Sequence, residues 1–272
     1  MDAPSVRAWK PPIPGVREVL HARFADHAYP PHTHDTWTLF IVDHGTVRYD
    51  LHRNERLAEP SMVSVLPPYV VHDGRSARPD GYRKRVIYLE PDVFGEAAIG
   101  PSVDAPSLAE PQLYRDVAAL HDALACVDEA LDAETRLVMV TERIRRWFGI
   151  GEPASALAPR ADDADALRAF LDAHVFDSIT LAAAAVSIGS TPTRLARAFS
   201  GTFGISPHAY VVGRRLDAAR DRILDGEPLA DVAAAVGFYD QAHLTRRFKR
   251  FLGVTPGRFA RDPLRVEGRH GR

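Results

Sequence analysis

Three histidines stand in a pattern that can do chemistry. The segment PPHTHDTW sets His32 and His34 two residues apart, and His72 follows a second proline pair, Pro67-Pro68. A spacing of two puts both imidazoles on one face of an extended chain. Neutral imidazole nitrogens bind divalent metals and also hydrogen-bond polar ligands. The trio therefore admits three readings. It is a metal site of His32, His34 and His72, or the polar wall of a ligand pocket completed by Trp37 and Tyr49, or ordinary structural and surface histidines. A second group is cationic: Arg246, Arg247, Lys249 and Arg250 crowd the stretch QAHLTRRFKRFL, and Arg194 and Arg197 recur in the earlier TPTRLARAF. Such a run either meets a polyanion or keeps a helix face wet.

The cations belong to a helical frame. Leu229, Val232, Ala233 and Val236 recur at helical spacing, and Gly237 ends that helix. A second helix from about Asp240 carries Leu244, Phe248 and Phe251 as its apolar stripe, and Gly253 and Pro256 close it. A short helix, a tight turn and a basic helix make the layout of a helix-turn-helix. One isolated copy reads equally well as a helical hairpin with a solvated basic face. Here the unit recurs. Leu181, Ala185 and Gly189 precede Leu229, Ala233 and Gly237 by 48 positions, and Leu195, Phe199, Gly204 and Pro207 precede Leu244, Phe248, Gly253 and Pro256 by 49. The offset grows by one because the second turn is one residue longer. Two copies of one supersecondary element favour the nucleic-acid reading.

On these residues the segment from about 164 to 260 resembles the DNA-binding domain of AraC/XylS-type transcription regulators. ADVAAAVGF, a polar recognition-helix start and RRFKRFLGVTP match that family's signature, and His208–Gly226 resembles its long joining helix. Tyr210, Leu216, Ala219, Ile223 and Leu224 are expected to face the core, with Arg214, Arg215, Arg220 and Arg222 in water. The one departure is an alanine-rich first helix, Ala182–Ala185.

Charge separates the chain the same way. The net charge is −2 over 272 residues, but residues 178–272 carry +7 and residues 1–177 carry −9. A basic third beside an acidic remainder fits a polyanion-binding module joined to something else. Cys126 is the only cysteine, which excludes an internal disulfide and a cysteine-rich zinc site. No signal-peptide run and no apolar stretch of about 18 residues is found, so the expectation is a soluble, cytoplasmic protein without membrane contact.

Residues 1–30 read as a proline-rich lead-in strand or arm. Trp37–Val42, the alternating Val47, Tyr49 and Leu51 after the turn Asp43-His44-Gly45, Met62–Leu66 and Tyr82–Leu89 read as short strands of an antiparallel barrel or sandwich. From about Pro111 the period becomes helical. Leu113, Val117, Leu120 and Leu124 form one stripe, and Leu137, Val140, Ile144 and Trp147 form another. Each suits packing within the chain or pairing between subunits. GEPASALAPRADDAD reads as a linker, and a helix spans about Ala164–Ala173.

The His-x-His segment and the later proline pair resemble the cupin-like sensing domain common in AraC-type regulators, over roughly residues 20–90. Metal-binding cupins supply a glutamate soon after the His-x-His; here Thr38 and Leu39 stand there, which weakens both the metal and the enzyme readings. The expected architecture is an N-terminal antiparallel β-barrel, cupin-like, at 1–100 and a helical connector, with a dimerisation role open to it, at 101–150. A linker at 151–163 and a C-terminal all-α double helix-turn-helix at 164–272 complete it. No cofactor is assigned beyond the divalent metal that His32, His34 and His72 admit.

The resemblance implies that the second helix of each unit enters the major groove, the two about one turn, roughly 34 Å, apart. Thr191 caps the first such helix and Pro192 occupies its first turn. Thr193, Arg194 and Arg197, and in the second helix Gln241, Ala242, Thr245 and Arg246, share outward faces. Arg197 and Arg246 are the first candidates for base contacts, since arginine bonds bidentately to guanine. Arg194, His243, Arg247, Lys249 and Arg250 are assigned to phosphates or solvated surface. The implied protein is a sequence-specific regulator controlled by a small-molecule effector at its N-terminal domain. Its partners are double-stranded DNA, the effector and RNA polymerase, with pairing to a second copy left open beside a monomer that carries both reading heads. The rival is a metal-dependent cupin enzyme with a DNA-binding tail.

Overall fold

The computed structural model describes residues 4–126, 129–151 and 162–260. The chain divides near residue 158 into two compact units. Most of the expected linker, 152–161, lies outside the described residues.

The first unit begins with β1 (Ser5–Trp9), β2 (Val16–Phe24), β3 (Ala28–His32), β4 (Trp37–Gly45), β5 (Val47–Leu51) and β6 (Asn54–Ala58). It continues with β7 (Val63–Leu66), β8 (His72–Ser76) and β9 (Tyr82–Leu89), then α1 (Ile99–Asp104), β10 (Ser107–Leu108), α2 (Pro111–Leu124) and α3 (Ala130–Trp147). Six strands form one sheet in the order β1-β2-β9-β4-β7-β10, and four form the other in the order β3-β8-β5-β6. All strand pairs are antiparallel.

β4 explains the layering. Its first six residues are all buried because the larger sheet is covered on both faces. Trp37, Leu39 and Ile41 enter one core with Val117, Leu120, Val140 and Ile144 of α2 and α3. Phe40 and Val42 face the other way, into a core shared with Val47, Tyr49 and Leu51 of the smaller sheet. Fully burying one such aliphatic side chain contributes about 1.5–3 kcal/mol. The apolar stripes of α2 and α3 are thus spent inside the unit. Trp147 is the exception: it is 53% exposed, and Phe148 takes the buried position. The segment read as a lead-in strand or arm carries three strands, β1, β2 and β3, from Ser5 onward. Asp43-His44-Gly45 is not a hairpin turn, since β4 runs through it before the chain enters the smaller sheet at β5.

The second unit comprises α4 (Asp163–Ala173), α5 (Leu181–Ile188), α6 (Pro192–Phe203), α7 (Pro207–Leu224), α8 (Leu229–Ala235), α9 (Gln241–Leu252) and α10 (Pro256–Phe259). Side-chain caps start four of them: Thr180 accepts from Ala183 N, Thr191 from Arg194 N, Ser206 from Ala209 N and Asp240 from His243 N. Each cap contributes about 1 kcal/mol. α5–α6 and α8–α9 are the two helix-turn-helix units and α7 joins them. Leu216, Ala219 and Ile223 of α7 are buried, while Leu224 is 39% exposed. The inner stripe of α9 is Leu244 and Phe248, with Leu252 packed beside them rather than Phe251, which is 62% exposed.

Arg215 departs most from its expected place in water. Its Nε donates to Val175 O at 2.6 Å, one terminal nitrogen to Gly237 O at 2.7 Å and the other to Asp177 O at 2.6 Å. One guanidinium thus ties the joining helix to the segment after α4 and to the turn of the second helix-turn-helix.

The equivalent glycines of the two turns differ in what surrounds them. Gly189 and Gly237 both hold left-handed backbone, with φ of 69° and 78°. A methyl group at Gly189 meets nothing within 4 Å, whereas one at Gly237 would lie 2.6 Å from Phe176 O. Gly189→Ala is therefore expected to cost about 1 kcal/mol, the left-handed penalty alone. Gly237→Ala is expected to cost about 2–4 kcal/mol, since it adds a backbone clash. Denaturant unfolding followed by the helical circular-dichroism signal checks this, and equal costs would contradict it.

Candidate functional site

The three histidines converge. His32 and His72 are cross-strand partners on β3 and β8, with ring centroids 4.5 Å apart, and His34 stands 4.8 Å from His72. Each Nδ1 lies against a nearby backbone carbonyl: His32 on Pro30 O at 2.8 Å, His34 on Thr36 O at 2.8 Å and His72 on Val70 O at 3.0 Å. A carbonyl only accepts, so each Nδ1 carries the proton, and the Nε2 of a ring in this tautomer is the acceptor. The His34 Nε2 is taken by the Thr38 hydroxyl at 2.9 Å. Burial holds His72 down to about 4 and also lowers His34.

Around them is a chamber of about 50 Å³ between the two sheets, lined also by Tyr29, Phe40, Tyr49, Lys84 and Tyr88. Tyr49 is buried and its hydroxyl lies 3.2 Å from Ser107 Oγ. Lys84 is the residue that the sequence reading missed. In β9 it shares the parity of Tyr82, Val86 and Tyr88, which face the smaller sheet, while Arg83 and Arg85 share the opposite face with Ile87 and Leu89, where Arg85 pairs with Asp43 at 2.7 Å. That alternation was its available signal. Its Nζ stands 4.4 Å from the centroid of the Tyr29 ring, and burial lowers it to about 8. Outside the chamber lies an open hollow of about 940 Å³ bordered by Asp50, His52, Arg53, Tyr69 and Val71; His72 and Asp73 border both spaces.

Trp37 does not belong to this wall. It has the parity of Leu39 and Ile41, so it faces the helices. There its Nε1 donates to Pro91 O at 3.1 Å and its ring meets Phe94 edge-on. Nor does the donor set suit a divalent ion. Thr38 stands where metal-binding cupins carry glutamate and occupies a histidine lone pair. Among the described residues, no group of three His, Cys, Asp or Glu is placed to hold a metal.

The second helix-turn-helix presents an open basic face. Gln241, Ala242, Arg246, Lys249 and Arg250 of α9 are exposed, and Thr245 and Arg247 are half-buried. His243 is a correction: it is buried, edge-on to Phe238 at 5.3 Å, and Arg247 Nε lies 3.4 Å from its Nε2. It sits on the shoulder of the inward stripe beside Leu244, where Phe238 of the longer turn covers it. In the first unit Thr193, Arg194 and Arg197 are all half-buried. Arg194 is the second correction: it pairs at 3.5 Å with Asp163, whose side chain is only 3% exposed at the start of α4. Helix α4 packs along α6, a neighbour that spacing within α6 cannot reveal.

A family model described as the AraC-like ligand binding domain matches residues 14–140, and one described as a helix-turn-helix domain matches residues 184–262. The class is thus a two-domain regulator with a ligand-binding barrel and a DNA-binding helical unit. The chain belongs to the AraC/XylS-type transcription regulators, with a cupin-like N-terminal domain. It is 24% identical to the HTH-type transcriptional regulator YbfI of Bacillus subtilis, over 79% of this chain and 81% of that one. It is 28% identical to the HTH-type transcriptional regulator ExsA of Pseudomonas aeruginosa, over 34% of each. Among solved structures, fatty-acid-bound ToxT of Vibrio cholerae aligns over 95% of this chain and 94% of its own. The identity is 10% and the TM-score 0.34.

Three expectations follow. Arg194→Ala is expected to lower stability by about 1–3 kcal/mol, because Asp163 keeps its burial and loses a cation. Arg246→Ala leaves stability within about 0.5 kcal/mol and relaxes base preference at one operator position. Unfolding curves and binding-site selection on both variants separate the roles, and an unchanged base preference in Arg246→Ala would make it a phosphate contact. In the first unit, the ring pKa values of His72, His34, His21 and the fully buried His121 are lowered by burial. A depressed histidine contributes stability above its unfolded value of 6.5 and loses it as pH falls towards its folded value. Stability of this unit is therefore expected to fall between pH 6.5 and about 4, by on the order of 3 kcal/mol from His72 alone. Tryptophan fluorescence under denaturant reads it, since Trp9, Trp37 and Trp147 all lie in this unit.

Proposed function

We propose that this chain is a sequence-specific transcription regulator that reads two successive major-groove sites and is switched by a small molecule held in its barrel. One observation carries the reading. Two helix-turn-helix units are joined through α7 and Arg215 in one compact body, and α9 turns Gln241, Arg246, Lys249 and Arg250 to solvent. Arg246 with Gln241 would meet base edges, Lys249 and Arg250 the phosphates, and Thr193 and Arg197 the second groove site. The match to a ligand-binding family and the polar chamber of His32, His34, His72 and Tyr49 support effector control. The effector then acts as a coupling free energy between the two units.

The proposal includes RNA polymerase as the machinery addressed at the promoter, the cytoplasm as the place of action, and pairing with a second copy. For pairing, Met139 and Trp147 of α3 are the exposed large apolar residues left after the α2 and α3 stripes are buried. The relatives are regulators, and the proposal assigns no reaction to the barrel.

The test is a titration of purified chain against DNA from its own upstream region, at two salt concentrations and with random-sequence competitor. Competitor-resistant binding that weakens about 10-fold or more between low and moderate salt is expected. Binding erased by competitor in the presence and absence of candidate effectors would contradict a sequence-specific role.

A further inference from the structure

The chamber contains a cation to which no described residue supplies a counter-ion. Lys84 projects from β9 between the sheets, its ammonium set over Tyr29 at 4.4 Å and within 6.0 Å of the Phe40 and Tyr82 ring centroids. Among the described residues it makes no ion pair. Asp73, the carboxylate that borders the chamber, is committed elsewhere: its Oδ1 accepts from Asp50 N at 2.8 Å and its Oδ2 pairs with Arg75 at 3.3 Å. Aromatic faces stabilise a buried ammonium less than a carboxylate does at contact in a dry site.

The opposite wall has the opposite demand. His32 and His72 donate Nδ1–H to the backbone, which leaves their Nε2 lone pairs as acceptors. An ammonium beside imidazole acceptors is complementary to a carboxylate that also carries an O–H donor. A chamber of about 50 Å³ is the size of such a polar head, and the larger hollow across His72 and Asp73 has room for a body. Building on the proposed effector role of this barrel, we infer that its ligand is a small hydroxycarboxylate, its carboxylate on Lys84 and its hydroxyl donating to His32 or His72.

The test uses the full chain and thermal unfolding in the presence of lactate, mandelate and gluconate, each beside its primary amide, with phenylacetate as the deoxy partner of mandelate. The expected result is a saturable rise of a few degrees with at least one hydroxy acid. That rise should be at least about 10-fold weaker in apparent affinity for the amide and for the deoxy acid. Lys84→Met should abolish it and Lys84→Arg should retain it, with the unliganded unfolding temperature of each variant reporting an intact fold. Amides that bind while the acids do not, or a Lys84→Met variant that binds the acid as well as wild type, would overturn the inference and leave the effector pocket standing. No saturable binding by any acid or amide would overturn the hydroxycarboxylate and count against the pocket beneath it.

Discussion

The DNA-binding unit depends on one guanidinium. Arg215 sits midway along the joining helix and satisfies three backbone carbonyls from two other segments, the stretch after α4 and the turn between α8 and α9. Burial lowers its pKa, yet an arginine stays charged, so the three contacts are charge-assisted and persist at any working pH. They tie the turn that precedes α9 to the joining helix and to the stretch after α4. The joining helix Pro207–Leu224 has 18 residues and is about 27 Å long. That length suits two helices placed about one turn of duplex apart.

Much of this unit is legible in the sequence. Stripes at three- and four-residue spacing locate every helix from α5 to α9, and the glycines, caps and prolines mark their ends. What escaped was the environment of side chains on the shoulders of those stripes. Arg194, Arg215 and His243 all have outward or borderline helical angles. Each is covered by something distant in sequence: Asp163 of α4, the carbonyls of residues 175–177, and Phe238 of the turn. A helical wheel carries no information on such neighbours. Phe251 failed for the converse reason, because Leu252 serves as the last packed residue of α9.

The barrel was legible in its apolar strands and less so elsewhere. Strands β2, β6 and β8 carry arginines, glutamates and two histidines, His21 and His72, and so lack the apolar signal that marks β4 and β7. The histidine trio was readable as a group because His32 and His34 share a face. Trp37 was misplaced for a related reason: the chain changes from loop to strand between His34 and Trp37, and only the parity of β4 decides its side. The same parity, applied to YRKRVIYL, places Lys84 inside. A lysine in the inward register of an alternating strand is the mark of a polar interior.

The central claim is that two reading heads at a fixed separation engage DNA together. The most direct measurement compares binding of the chain to its operator and to the same operator with half a helical turn, about 5 base pairs, inserted between the two contacted major-groove segments. The account predicts two protected patches on one face of the native operator and a loss of at least about 100-fold in affinity on insertion, as one head is rotated off its site. Undiminished affinity for the inserted operator, or a footprint confined to one patch, would contradict it.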